Sequence, residues 1–201
     1  MLGHGPLPLR PGDHQLMGMP EALREWTAER VRTLPDDGMR YEVVDGELLV
    51  TPSPATPHQR ALGELHLRLG GYLRGGTVGE LFLSPADVEF DPRTLVQPDL
   101  FVVPLREGRR LRRWADIDQL ILAIEILSPS TARYDRLTKR RLYQRQRIEY
   151  WIVDLDARVI ERWRADDERP EIVADRLRWH PSGASEPFTL EVEEYFAQVM
   201  D

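Results

Sequence analysis

Two acids and one lysine are the side chains here whose type and spacing could carry chemistry. Asp99 follows Pro98 at the mouth of the apolar run 100–103, and Glu125 sits inside the run 120–127, where almost every neighbour is apolar. A glutamate is rarely buried that deeply unless it is paired or holds a metal. Lys139 is the only lysine among 27 basic residues; every other basic position is arginine. A chain that uses arginine wherever it can marks its one lysine as a place where the two do not exchange. Lysine is a compact point charge, whereas arginine is a broad planar fork. A narrow pocket that must set one positive charge on a reacting phosphate oxygen calls for the former. The plain alternative is a stray lysine on a solvated helix.

With no cysteine and no paired-histidine spacing, two carboxylates suit a hard cation that prefers oxygen. Mg²⁺, or Mn²⁺ in its place, is the natural candidate, held by one or two carboxylates together with water and substrate phosphate. Such an ion lowers the pKa of bound water and neutralises charge on a reacting phosphoryl group. Glu125 could instead be a structural acid paired with arginine. Glu47, His58 and Tyr143 are secondary candidates. Glu47 could supply a third carboxylate. His58 could touch substrate or cap a helix, and Tyr143, one turn after Lys139, could orient it or simply pack.

The elements that must position these groups are legible in outline. Residues 20–34 read as a short helix opened by Pro20. Residues 41–50 read as a hairpin turning at Asp45-Gly46, and 51–57 as a stiff proline-rich connector. From His58 to Leu73, Leu62, Leu65, Leu69 and Leu73 recur at helical spacing, and Gly75-Gly76 ends that helix. Short strands are expected at 78–83, 86–90 and 100–103. The run 120–127 reads as a central strand buried on both faces. Ser128-Pro-Ser-Thr131 is a helix start, and the helix is expected to continue to about Arg147. On its wheel Arg133, Arg136, Arg140 and Arg147 share a stripe, while Lys139 shares a face with Asp135 and Leu142. Strands at 150–154 and 159–164 follow, and 188–199 reads as a closing helix. The order is mixed α/β around one sheet with a hairpin added in front, not a regular βαβ alternation.

Length and composition bound the rest. The 201 residues suit one domain, 20–201, and 41% hydrophobic content with five tryptophans argues for a real core. Residues 1–19 read as a disordered arm without the apolar stretch of a signal peptide, and translation could begin at Met1, Met17 or Met19. No run approaches the ~20 apolar residues of a membrane span, so a cytoplasmic protein with no membrane partner and no organic cofactor is expected. The net charge of −7 argues against a general nucleic-acid coat. The arginines are clustered, however: Arg106, Arg109, Arg110, Arg112 and Arg113 form one run, and a second extends from Arg133 to Arg147. Arg109, Arg110, Arg133, Arg136 and Arg140 are therefore candidate contacts to nucleic-acid phosphates, with a solvated charged face as the alternative.

These stretches carry a resemblance. Pro98-Asp99 followed by Glu125-Ile-Leu127 resembles the signature of the PD-(D/E)XK nuclease superfamily. More closely, YEVVDGEL (41–48), the proline-rich link to His58, PDLFVV (98–103), IEILSPST (124–131) and EYWIVD (149–154) look like the Uma2 family, also called DUF820, of restriction-endonuclease-like domains. The resemblance spans roughly residues 20–200. It implies a restriction-endonuclease-like αβββαβ core with a mixed central sheet flanked by helices. It also implies that Asp99 and Glu125 bind the divalent metal. The superfamily places lysine two residues after the glutamate, where this chain has Leu127; the resemblance to Uma2 suggests that the lysine has moved to the following helix, as Lys139. The expectation is a Mg²⁺-dependent endodeoxyribonuclease acting on DNA, as a homodimer if both strands are cut. The competitors are an inactive relative that binds nucleic acid or protein, and an acidic interaction domain.

Overall fold

The computed structural model describes residues 25–200. The expected arm at 1–19 and the helix start at Pro20 lie outside them. The expected first helix is described as one turn, α1 (Ala28–Val31), capped by the Thr27 hydroxyl.

The hairpin forms as its turn residues dictate. Asp45 and Gly46 both take positive φ, 52° and 85°, the conformation that matches a two-residue turn to the twist of its strands. The strands are β1 (Arg40–Val44) and β2 (Glu47–Thr51), paired Val44 to Glu47. The helix α2 (Thr56–Leu73) follows. Next come β3 (Gly79–Leu83), β4 (Val88–Asp91), β5 (Thr94–Val96) and β6 (Leu100–Pro104). Three strands are expected here, at 78–83, 86–90 and 100–103, as one succession; the structure adds β5, and the four divide. The turn at Asp91–Thr94 folds β4 back on β5, and β5 pairs with β1, giving a small sheet in the order β2-β1-β5-β4.

The main sheet adds β7 (Leu122–Ile126), β8 (Glu149–Asp154), β9 (Val159–Trp163) and β10 (Glu171–Val173), in the order β10-β9-β8-β7-β6-β3. β7 and β8 are parallel and the other neighbours antiparallel, so α2, β3, β6, β7, the following helix and β8 reproduce the αβββαβ order. At the β3–β6 seam a Cβ on Gly79 would collide with the Val103 carbonyl.

β7 is buried throughout, and its alternation decides where Glu125 points. Leu122, Ile124 and Ile126 face α2, packing with Leu65, Leu69 and Trp151. Ala123 faces the other way, with Phe101, Tyr143, Tyr150 and Val44 of the small sheet. With a period of two, Glu125 falls on this second side, and so does Asp99, two residues before Phe101.

The helix expected from Thr131 to Arg147 is interrupted. It runs as α3 (Ala132–Tyr134), a π turn over Asp135–Lys139, and α4 (Arg140–Arg145). π turns inside helices occur mostly at functional positions. The C-terminal expectation is corrected as well. Residues 188–191 form a strand, β12 (Phe188–Glu191), paired with β11 (Arg176–Trp179), and only Val192–Met200 is helix, α5. Phe188 and Leu190 alternate inward, the strand period.

Candidate active site

The side chains that meet on the second face of β7 come from five elements. β6 and β7 pair Leu100 with Ile124 and Phe101 with Ala123; one further step along that register sets Asp99 opposite Glu125. The helix after β7 then passes over the same face. Its π turn brings both ends, Asp135 and Lys139, into the interior. From the small sheet, β1 presents Arg40 and Glu42, two residues apart and therefore on one face. His58 comes from the first turns of α2. Together they line a cavity of about 210 Å³, rimmed by Ser53, Pro54 and the Ser128–Thr131 loop.

The contacts are close. Lys139 Nζ lies 2.8 Å from Glu125 Oε1, 2.9 Å from Glu42 Oε2 and 3.8 Å from Asp135 Oδ1. Asp99 accepts from Arg40 Nη1 at 2.9 Å and from the Ile126 amide at 2.9 Å, and its Oδ2 lies 3.0 Å from His58 Nε2. All four acids and Lys139 are buried.

Electrostatics follow from this crowding. Burial works to raise Asp99, but the bond with His58, the Arg40 charge and the Ile126 amide win and hold its carboxyl well below the ordinary range. Burial, with the charges of Asp99, Asp135 and Glu42 beside it, pushes Glu125 up against the pull of Lys139. Asp135 is pushed up to about 6, by burial first, with Lys139 opposing. Burial works to lower Lys139, yet Glu125, Glu42 and Asp135 raise it, so the ammonium stays charged. Four acids thus share two permanent cations and one imidazole. Opposed environments of this kind are a mark of functional clusters.

The donor set fits a hard divalent ion. It offers carboxylate oxygens, it carries more acid than its cations balance, and two of its buried atoms, Asp135 Oδ1 and Thr51 Oγ1, have no hydrogen-bond partner among the described residues. No group of three or more acid or histidine side chains among the described residues converges as a ready-made metal cage. Magnesium needs no such cage, being held commonly by one or two carboxylates completed by water and substrate.

The other sequence candidates divide. His58 is at the cavity, with its Nδ1 buried and without a hydrogen-bond partner among the described residues. Glu47 is exposed on β2 and is not part of the lining; the hairpin acid at the site is Glu42. The signal for it was present, since Glu42 sits beside two valines as Glu125 sits among isoleucines. Arg40 was hidden among so many arginines, and Asp135 was legible only as sharing a helix face with Lys139 and Leu142. Tyr143 is buried behind Lys139, its ring 4.7 Å from that of Tyr150 and its hydroxyl without a hydrogen-bond partner among the described residues.

Among the arginines, Arg133 is exposed near the rim. Arg136 is instead consumed by Asp154 and Glu161, each at 2.6 Å. Arg140 lies 4.9 Å over the Trp163 ring and bonds Gln144. Arg109 and Arg110 are exposed on the loop beyond the C-terminal end of β6, whereas Asp99 precedes its N-terminal end. A five-residue strand separates them, roughly 17 Å at about 3.3 Å per residue.

No curated protein matches the chain significantly. Among solved structures it is similar to one described as a "putative nuclease belonging to DUF820" from Anabaena variabilis ATCC 29413, at 20% identity and a TM-score of 0.71, over 87% of this chain and 99% of that one. At that identity the likeness establishes the fold. The model of the Uma2 family, described as "Putative restriction endonuclease", matches residues 28–193. With that match running from α1 through the site to the start of α5, the chain belongs to the Uma2 family.

Proposed function

We propose that this protein is a metal-dependent nuclease that hydrolyses phosphodiester bonds in DNA, with Asp99 and Glu125 holding Mg²⁺ or Mn²⁺. The observation that carries the reading is the pairing of strand-end acids on β6 and β7 with a buried ammonium 2.8 Å from one of them. When bound, the ion would supply an activated water and neutralise charge on the phosphate. The chain's own residues do the rest. The Ile126 amide and Arg40 fix the orientation of Asp99. Lys139 keeps Glu125 oriented and holds a permanent positive charge among the acids. His58 bonds Asp99 through Nε2 and so helps hold that carboxylate in place. Family membership and fold support nuclease chemistry in general; DNA as substrate, the ion and a second copy for double-strand cutting are part of the proposal.

The test is cleavage of supercoiled plasmid with Mg²⁺ or Mn²⁺ by the wild type, Asp99→Asn and Glu125→Gln. Nicking or linearisation that requires the metal and vanishes in both variants is expected. Metal-independent cutting, or full activity in either variant, would sink it.

One observation favours a second reading, a non-catalytic binding module. Asp99 already has three partners and Lys139 is 2% exposed, as in a self-satisfied structural cluster. That reading expects no cleavage and no stabilisation by either metal.

A further inference from the structure

We propose that Arg40 is the residue that binds the substrate phosphate in this site, and that Lys139 is a positioning residue that acts through the acids. The assignment rests on the nuclease reading above and departs from the role expected of the lysine.

Lys139 has little left to offer a substrate. An ammonium carries three N–H bonds; two carboxylates lie within 2.9 Å of this one and a third at 3.8 Å. Its side chain is 2% exposed. A phosphate oxygen reaching it would have to displace a carboxylate from a desolvated pair, which is strongly opposed.

Arg40 is placed differently. Its side chain is 19% exposed, and it belongs to the lining of the cavity. Nη1 donates to the Gln97 carbonyl at 3.2 Å and to Asp99 Oδ1 at 2.9 Å, and Nη2 donates to Ser84 Oγ at 3.1 Å. A guanidinium has five N–H donors. Two are therefore unspent among the described residues, the Nε hydrogen and the second on Nη2. Two N–H groups of one planar cation are what a phosphate accepts in forked fashion. The charge is secure: burial works against it, but Asp99, Glu125 and Glu42 raise the pKa further. Asp99 is held through Nη1 and the unspent donors lie on the opposite Nε–Nη2 edge, so the one planar cation would bridge the phosphate and an acid proposed to hold the ion. The hydroxyls of Ser128, Ser130 and Thr131 stand at the rim, hydrogen-bonded to one another. Arg40 also belongs to the small sheet, so the hairpin would carry the substrate-binding charge while the main sheet carries Asp99 and Glu125.

The test compares the full chain with Arg40→Gln and Arg40→Lys. Binding of a fluorescein-labelled DNA duplex is followed by anisotropy in Ca²⁺ at fixed salt, cleavage by kcat and KM in Mg²⁺ or Mn²⁺, and folding by Tm. Arg40→Gln is expected to weaken binding in Ca²⁺ and raise KM about tenfold or more, and to lower kcat as well because Asp99 loses its Nη1 partner. Arg40→Lys keeps the charge and the Tm but not the fork, and is expected to recover only part of the affinity. Should Arg40→Gln fail to fold, Arg40→Lys supplies the measurement. Wild-type Kd and KM in the folded variants, alongside an active wild type, overturn the Arg40 assignment alone. A wild type that neither binds nor cuts DNA with any of these metals overturns the nuclease reading and this assignment together.

Discussion

Lys139 Nζ sits 2.8 Å from Glu125 Oε1, although the two residues are 14 positions apart and lie on different elements. The strand delivers the acid to one face of the sheet, and the π turn swings the lysine back over that face. Glu42 closes the group from a different sheet, 2.9 Å away.

Replacing this lysine therefore tests both chemistry and folding. Lys139→Met leaves Glu42 and Glu125 buried without their cation and is expected to cost about 3–5 kcal/mol of stability in urea titrations. Lys139→Arg keeps the charge but needs more room than the pocket has. It should fold with a smaller loss and cut plasmid at least about a hundredfold more slowly, since small displacements in a site carry penalties of that order. An Lys139→Arg protein with wild-type activity would end the argument for a lysine-specific site.

Metal binding should be visible without activity. A ligand at about a hundred times its Kd stabilises the folded state by about 2.7 kcal/mol, a Tm rise readily seen by calorimetry. Mn²⁺ and Mg²⁺ are expected to produce it in the wild type and not in Asp99→Asn or Glu125→Gln.

The pH dependence of stability should carry the mark of Asp135. Its folded pKa is raised to about 6 from 3.8, chiefly by burial, so the folded state holds this proton more tightly than the unfolded chain. The stabilisation is whole below about pH 4 and is lost as pH rises through about 6. Asp135→Asn mimics the protonated form, so wild type should lose stability relative to it across that window, by at most one proton's slope. Asp99, lowered, stabilises above the unfolded aspartate range and loses that contribution only as pH falls below it. Urea midpoints at four pH values decide the matter: parallel curves for wild type and Asp135→Asn contradict the assignment.

The arginines should separate by location. Arg136→Ala breaks the contacts to Asp154 and Glu161 and is expected to cost about 1 kcal/mol of stability while leaving the salt dependence of DNA binding unchanged. The double variant Arg109→Ala, Arg110→Ala, at the far end of β6, should keep kcat. It should flatten the salt slope of binding by up to about one unit per lost phosphate contact. A changed slope in Arg136→Ala would mean that its ion pairs open to the substrate.

The sequence by itself made legible β3, β6, β7, β8 and β9, the hairpin turn, and three charged residues, Asp99, Glu125 and Lys139, that the fold brings to one cavity. Those features rest on local rules: an apolar run long enough for a buried strand, a residue pair that takes positive φ, and charged groups where charge is costly. The face shared by Lys139, Asp135 and Leu142 was legible on a helical wheel for the same reason. Only the tertiary structure decided which strand of the hairpin faces the site. A period of two puts Glu42 and Glu47 on paired strands, and burial against the main sheet selects the first. The transfer of β4 and β5 to the small sheet, the strand at Phe188–Glu191 and the pairing of Arg136 and Arg140 within the chain were likewise settled there. Each depends on a partner distant in sequence, and no local pattern encodes which neighbour a strand edge or a guanidinium will meet.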